Sequence, residues 1–366
     1  MLQKQKITSL QAIYLTFASA YGGVVFYHSY ITSLAGRSAW IAESLSGVIN
    51  ILFALWVLGV ASKYPGKNLF QILEMFAGKI VSTIVIFVYV GLNIVLSSLL
   101  LMLCGGLMKT FVLHNTPMWA TMFLIIFLAF LIAGSGIENI ARLSTTWEIV
   151  LLGILLSLVI GVISQFDSSN ILPMLDSDIP SFIKAVLLAG GGHSEVILFM
   201  FVMVESLNHP GKQFTPLFLG LLVSVVFMPG AVSFLFSAVI SPEEASTISF
   251  AGLNAASSIT LGKFVQGLEI FELVTYVSIT VLKLSANFYS SWVALESMTK
   301  RNSKVLIIIV TIVTFILTLN IRSYNQSYYY YIQVTQYCTY PFYTAVLCIV
   351  SILIYAKGKK AVLRKT

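Results

Sequence analysis

Residues 189–195 read AGGGHSE, three glycines followed by a histidine and a carboxylate, inside a stretch apolar enough to cross a membrane. Glycine weakens a helix by about 1 kcal/mol per residue relative to alanine. A glutamate at bilayer depth costs about 3 kcal/mol more. A second run, SAYGG at 19–23, interrupts the first apolar segment in the same way. Unwound backbone in mid-membrane is tolerable only where it lines a cavity. Half-helix N-termini attract anionic groups, their C-terminal ends attract cations, and glycine admits a ligand close to the backbone. The paired runs predict a pocket for a small zwitterion such as an amino acid, formed by Ala20, Tyr21, Gly22 and Gly23 with Gly190, Gly191, Gly192, His193 and Glu195. The competing reading is that the glycines only let helices pack closely.

The charged residues sharpen this expectation. Glu195 follows the second run, where it either caps a half-helix or meets a ligand ammonium or a proton. His193 either contacts ligand or hydrogen-bonds a freed carbonyl. The segment 267–297 carries Glu269, Glu272, Tyr276, Thr280, Lys283, Asn287 and Ser291 at steps of three and four, one polar stripe on one helical face. Lys283 falls near the membrane centre, too deep to snorkel, and an intramembrane lysine points to function. It is expected either as a built-in cation bracing carbonyls freed near Ala20–Gly22 or as an ion pair with Glu148 or Glu195. Asn93, Ser97 and Ser98 either line the same cavity or join helices by polar packing. Glu43 reads as lying near the outer boundary, and Glu269 and Glu272 as solvated. No nucleophile–base pair and no metal-ligand spacing appears, so neither an enzyme, a metal nor a cofactor is expected.

These residues need a membrane-embedded scaffold. Hydrophobic residues make up 58% of the 366 and charged residues 10%, where a soluble domain carries about a quarter charged. Apolar segments at 10–35, 39–61, 80–108, 117–134, 145–165, 180–206, 214–238, 267–297, 304–321 and 331–356 predict ten transmembrane helices in a single membrane domain, 1–366. The interruptions in the first and sixth, and the unusual length of the third and eighth, recur five segments apart. They predict a five-plus-five inverted repeat with helices 1 and 6 broken, an all-α integral membrane fold. Placing both termini in the cytoplasm concentrates Lys and Arg inside, so the net charge of +7 reports topology and not a nucleic-acid partner. The segment 65–78 suits a surface helix, Pro229-Gly230 a kink, and SYYYYIQ at 327–333 an interfacial anchor. Cys104, Cys338 and Cys348 are expected as small buried apolar residues.

Several strings carry a family resemblance: ASAYGGVV, SAWIAE, KYPGKNLFQIL, SNILPML, GHSEVILFMFVMVE and FVQGLEIFELVTYVSITVLKLS, in that order over nearly the whole chain. In these the chain resembles the B subunits of bacterial spore germinant receptors, the GerAB-type spore-germination permeases of the amino acid–polyamine–organocation superfamily. The resemblance implies a leucine-transporter-like fold serving as a nutrient sensor in the spore inner membrane. It also implies an A subunit and a C-subunit lipoprotein as partners, a small nutrient ligand, and Glu195 at the family's glutamate position. The family pattern has G-x-G with a following proline in the first helix and commonly glycine at position 193. Here the glycines are adjacent, no proline follows, and His193 stands at the second site, so the nutrient is not inherited. A secondary amino-acid transporter coupled to protons or cations is the alternative.

Overall fold

The structure is a computed structural model that describes residues 6–163, 165–207, 214–248, 250–258, 269–299 and 303–363; the side chains of residues 20–26 fall outside that description. Of the lysines and arginines, Lys4, Lys212, Lys263, Lys300, Arg301, Arg364 and Lys365 also lie outside the described residues. The chain is nearly all helical. Its helices are α1 (Ser9–Ala35), α2 (Ala39–Lys63), α3 (Leu69–Ala77), α4 (Lys79–Phe111), α5 (Met118–Gly134), α6 (Ile137–Ile163), α7 (Ile179–Met203) and α8 (Phe214–Leu221). They continue with α9 (Met228–Val239), α10 (Pro242–Ala245), α11 (Ala251–Ser258), α12 (Glu269–Thr299), α13 (Val305–Leu319), α14 (Tyr324–Val334) and α15 (Tyr340–Leu363). Single π-helical turns join α8 to α9 at Leu222–Phe227 and α14 to α15 at Thr335–Thr339.

Local chemistry sets the helix ends. Thr8 and Gln11 form a capping box at α1, and Asn68 and Gln71 do the same at α3. Asp178 accepts from the Ser181 N–H at the start of α7, with Pro180 in its first turn. Gly78, at φ +87°, ends α3 and turns the chain directly into α4. α3 buries Leu69, Phe70, Ile72 and Leu73 while Met75 stays exposed, as an amphipathic helix should.

Among the described residues, six helical stretches are long and apolar enough to cross a membrane: Tyr27–Lys63, Lys79–Phe111, Ile137–Val162, Ile179–Ser206, Phe214–Val239 and Tyr324–Ala356. α5 and α13 are shorter apolar helices. Large apolar side chains such as Leu52, Phe87, Phe123, Leu156 and Ile312 point outward, as a hydrocarbon solvent permits. Interior hydroxyls bond to carbonyls one turn earlier, as Thr16 does to Ala12 and Ser144 to Ile140, which satisfies them without a partner helix.

α7 is the central element: every residue from Leu188 to Met203 is buried, and it packs on α1, α2 and α12. α12 lies against α4 and α5 on its other side, and α4 also carries α13 and α14. α2 approaches the π turn between α8 and α9 so closely that a Cβ at Gly47 would collide with the Val225 carbonyl.

Two expectations are corrected here and a third is located. Neither glycine run breaks its helix: α1 is continuous over 9–35 and α7 over 179–203. The reason lies in packing. Gly190 leaves room for the Tyr340 hydroxyl and Gly192 for the Tyr27 ring, so small residues serve helix contact and not unwinding. The irregular backbone expected from Pro229-Gly230 lies one turn upstream, in the π turn at Leu222–Phe227, because the missing N–H and the ring of Pro229 act on the carbonyl of Val225, four residues earlier. Among the cysteines only Cys104 is buried; Cys338 is exposed and Cys348 half-buried, on an outward face of the last helical segment.

Candidate functional site

The polar stripe of α12 meets α7 in the interior. Glu195 and Lys283 are 2% and 1% exposed, and the Lys283 Nζ lies 3.4 Å from Glu195 Oε1. Tyr331 of α14 completes the group. Its hydroxyl donates to Glu195 Oε1 and accepts from Lys283 Nζ at 3.1 Å. Asn287, one turn below Lys283, donates to Glu195 Oε2 at 3.4 Å and to Ser97 Oγ of α4 at 3.2 Å. The Tyr27 ring of α1 stands 5.8 Å from that of Tyr331, and its hydroxyl bonds to Thr335 Oγ1 in the second π turn. Five helical segments therefore converge on one internal ion pair, on a carboxylate with three partners and an ammonium with two.

This arrangement has a definite chemical capacity. A buried pair is stable only when geometry and extra hydrogen bonds offset the loss of hydration, and here both conditions are met. The same carboxylate and ammonium are complementary to the ammonium and carboxylate of a zwitterion, which could exchange with them.

The sequence candidates fall into separate places. Glu195 and Lys283 come together, and Asn93 is buried on α4 one turn from Ser97. Tyr276 is buried two turns along α12, beside Glu272. Gly190, Gly191 and Gly192 are buried on α7 and face Tyr340, Thr335 and Tyr27 respectively. Ala20, Tyr21, Gly22 and Gly23 have helical backbone within α1, and their side chains lie outside the described residues. Lys283 takes Glu195 and Tyr331 as its described partners, in place of carbonyls freed near Ala20–Gly22, because the helical backbone there keeps its carbonyls in the ladder. His193 turns to the opposite face of α7, where its Nε2 is 3.4 Å from Glu43 Oε2.

Glu43 is wholly buried, and Glu272 is buried and not solvated. Counting from segment ends gives a residue's depth but ignores how neighbouring helices cover it. Tyr331 was missed because it sits in a tyrosine run. Its neighbours Tyr329 and Tyr330 are indeed exposed, but a helical step of one residue is about 100° and turns Tyr331 inward. A carboxylate and a lysine without nearby donors were the signal that a hydroxyl must be found for them.

Both ends of the bundle are tied. At one end Lys6 donates to the Glu205 and Leu207 carbonyls at 3.1 and 3.3 Å, Ile7 pairs with Ser206, and Asn68 donates to the Glu205 carboxylate at 3.0 Å. At the other, Ser29 donates to the Ile248 carbonyl at 2.6 Å and Arg37 pairs with Asp176 at 2.8 Å. Beside Ser29 a cleft of about 130 Å³ opens, lined by hydroxyl residues including Tyr30, Ser33, Thr247 and Tyr328.

A helical bundle with charge buried at its centre and ties at both ends is the build of a membrane receptor or transporter for a small molecule. Solved structures agree on the fold. MhsT in complex with L-phenylalanine superposes with a TM-score of 0.70 over 96% of this chain and 89% of its own, at 15% identity. Mhp1, a nucleobase-cation-symport-1 family transporter, closed with bromovinylhydantoin bound, gives 0.68 over 87% and 73%, also at 15% identity. The leucine-transporter-like fold that the family resemblance implies is thus the fold of this chain. Spore germination protein B2 of Bacillus subtilis (strain 168) is 22% identical over 340 residues, 89% of this chain and 90% of that protein. The chain belongs to the spore germination protein family, whose model matches residues 6–327.

Proposed function

We propose that this protein is the membrane-embedded nutrient-sensing subunit of a spore germinant receptor and that its ligand is an amino acid. The observation that carries this reading is the Glu195–Lys283 pair with Tyr331, a zwitterion-complementary group sealed at the junction of α7, α12 and α14. L-Phenylalanine in the MhsT complex supports the ligand class, and the germination relatives support the setting. In this reading ten helices span the spore inner membrane with both termini in the cytoplasm. An A subunit and a C-subunit lipoprotein read out the change. Ligand acts by population shift, favouring the arrangement in which its own charges replace the internal pair. Lys283 supplies a fixed cation, so the response is independent of sodium.

Secondary transport is the second reading, favoured by the transporter fold of both solved neighbours. Flux separates the two. The purified chain in liposomes should bind an amino acid without accumulating it, with or without a sodium or proton gradient. Gradient-driven uptake would establish the transporter and overturn the sensor.

A further inference from the structure

The last helical segment carries polar side chains on a face turned away from the bundle. Tyr330, Gln333 and Tyr337 follow one another at steps of three and four along α14 and the second π turn, with Gln336 beside them. Tyr330 and Tyr337 are exposed, and Gln333 and Gln336 are half-buried. Elsewhere the outward faces are aliphatic or aromatic, as at Phe87 of α4, Leu156 of α6 and Ile312 of α13.

These polar groups lie at the depth of hydrocarbon. The stretch Tyr324–Ala356 is about 50 Å long, against about 30 Å of hydrocarbon. Counted from its midpoint, Gln336 is about 6 Å and Gln333 about 10 Å from the membrane centre. Counted inward from the exposed pair Tyr329 and Tyr330, Gln336 is about 10 Å below the interface. On either count lipid tails surround it, and they offer no hydrogen bond. Outward hydroxyls on other helices close on their own backbone, as Thr146 does on the Arg142 carbonyl and Thr311 on that of Ile307. The Tyr330 hydroxyl accepts from Gln326 at 3.4 Å. The amides of Gln333 and Gln336 and the hydroxyl of Tyr337 make no hydrogen bond among the described residues.

The chemistry of the amide says what would cover it. A glutamine side chain donates and accepts at once, so two of them facing each other satisfy both. Copies of one chain insert in one orientation and carry Gln333 and Gln336 at one depth. A two-fold axis along the membrane normal therefore sets amide against amide in register, where a foreign helix would need its own matching groups. Such a contact is isologous and closes at two copies, and amide hydrogen bonds hold helices together in lipid.

We propose that this face of α14 and its π turn docks a second copy of the same chain, held by Gln333 and Gln336. The contact would back the segment whose inner side carries Tyr331 to Glu195 and Thr335 to Tyr27.

The full chain, carrying a donor or an acceptor fluorophore at its amino terminus, is reconstituted in phosphatidylcholine vesicles over a range of protein-to-lipid ratios. Energy transfer should rise with the ratio and saturate as a dimer. Gln333→Leu/Gln336→Leu changes only outward side chains, so it should insert and melt like the wild type. It should need about tenfold or more protein per lipid for the same transfer. Cross-linking gives a second measure, with Cys338→Ser/Cys348→Ser removing the two thiols that are not buried. In that background Tyr330→Cys should yield a disulfide-linked dimer on oxidation, and Ile312→Cys should not. Absence of transfer at every ratio overturns the proposal and leaves the amides to a different chain. Equal association of wild type and leucine variant also overturns it, as does cross-linking through Ile312→Cys in place of Tyr330→Cys.

Discussion

Cutting the Glu195–Lys283 pair from either side should give unequal losses, and cutting it from both should recover part of them. At 3.4 Å, with an effective dielectric of about 20, the attraction is about 5 kcal/mol before desolvation is subtracted. Truncating one member of a buried pair typically costs about 3 to 5 kcal/mol, because the other charge is stranded. Here the two strandings differ. Lys283→Met leaves Glu195 with Tyr331 and Asn287 as donors, whereas Glu195→Gln leaves Lys283 with Tyr331 and an amide oxygen. That amide has one oxygen and can accept from Lys283 or from Asn287 but not from both, so Glu195→Gln also sets two amide NH2 groups against each other. Glu195→Gln should therefore cost about 3 kcal/mol or more, and Lys283→Met less. Lys283→Met/Glu195→Gln should be more stable than Glu195→Gln alone by about 1 kcal/mol or more, the signature of a direct interaction. Denaturant unfolding of the four proteins in one detergent at one pH gives the cycle. Additivity within about 0.5 kcal/mol would refute a direct pair.

Three further outcomes follow from the packing. Gly190→Ala should destabilise by about 1 to 3 kcal/mol, since its Cβ would collide with the Tyr340 hydroxyl, while Gly191→Ala, 3.3 Å from Thr335 Oγ1, should lie within about 1 kcal/mol of wild type. Thermal denaturation ranks them, and the reverse order would contradict a continuous, tightly packed α7. Gly47→Ala should be worse than either, because its Cβ meets the Val225 backbone, which cannot rotate away; normal membrane yield and melting would count against that contact. Tyr331→Phe removes two hydrogen bonds to charged groups and should cost about 2 kcal/mol, read in the same unfolding assay with Tyr330→Phe as the exposed control.

Much of the scaffold is legible in the sequence because membrane helices are written in runs of apolar residues, and their ends in Thr8, Asn68, Asp178 and Gly78. The inward stripe of α12 is likewise a matter of period, and it delivered Lys283 and Asn287 to the site. What composition could not convey is which helix meets which face. A triple glycine is compatible with an unwound helix and with a groove for Tyr340 and Tyr27, and only the neighbours decide. Glu272 looked solvated because its position was counted along one helix at a time. Tyr331 looked interfacial because its run of tyrosines is read as a group, though the helix gives each a different direction.

The central claim is that Glu195 and Lys283 receive an amino acid, and direct binding tests it. The purified chain is titrated by calorimetry with amino acids, with their N-acetyl and amide derivatives, and with sugars and nucleosides, in sodium-free and sodium-containing buffer. Binding should be confined to free zwitterions and should not need sodium. It should weaken in Glu195→Gln by about 10-fold or more, the loss expected of a charge-assisted hydrogen bond worth about 1.4 kcal/mol or above. Binding of a nutrient with unchanged affinity in Glu195→Gln, or of sugars and nucleosides alone, would contradict it.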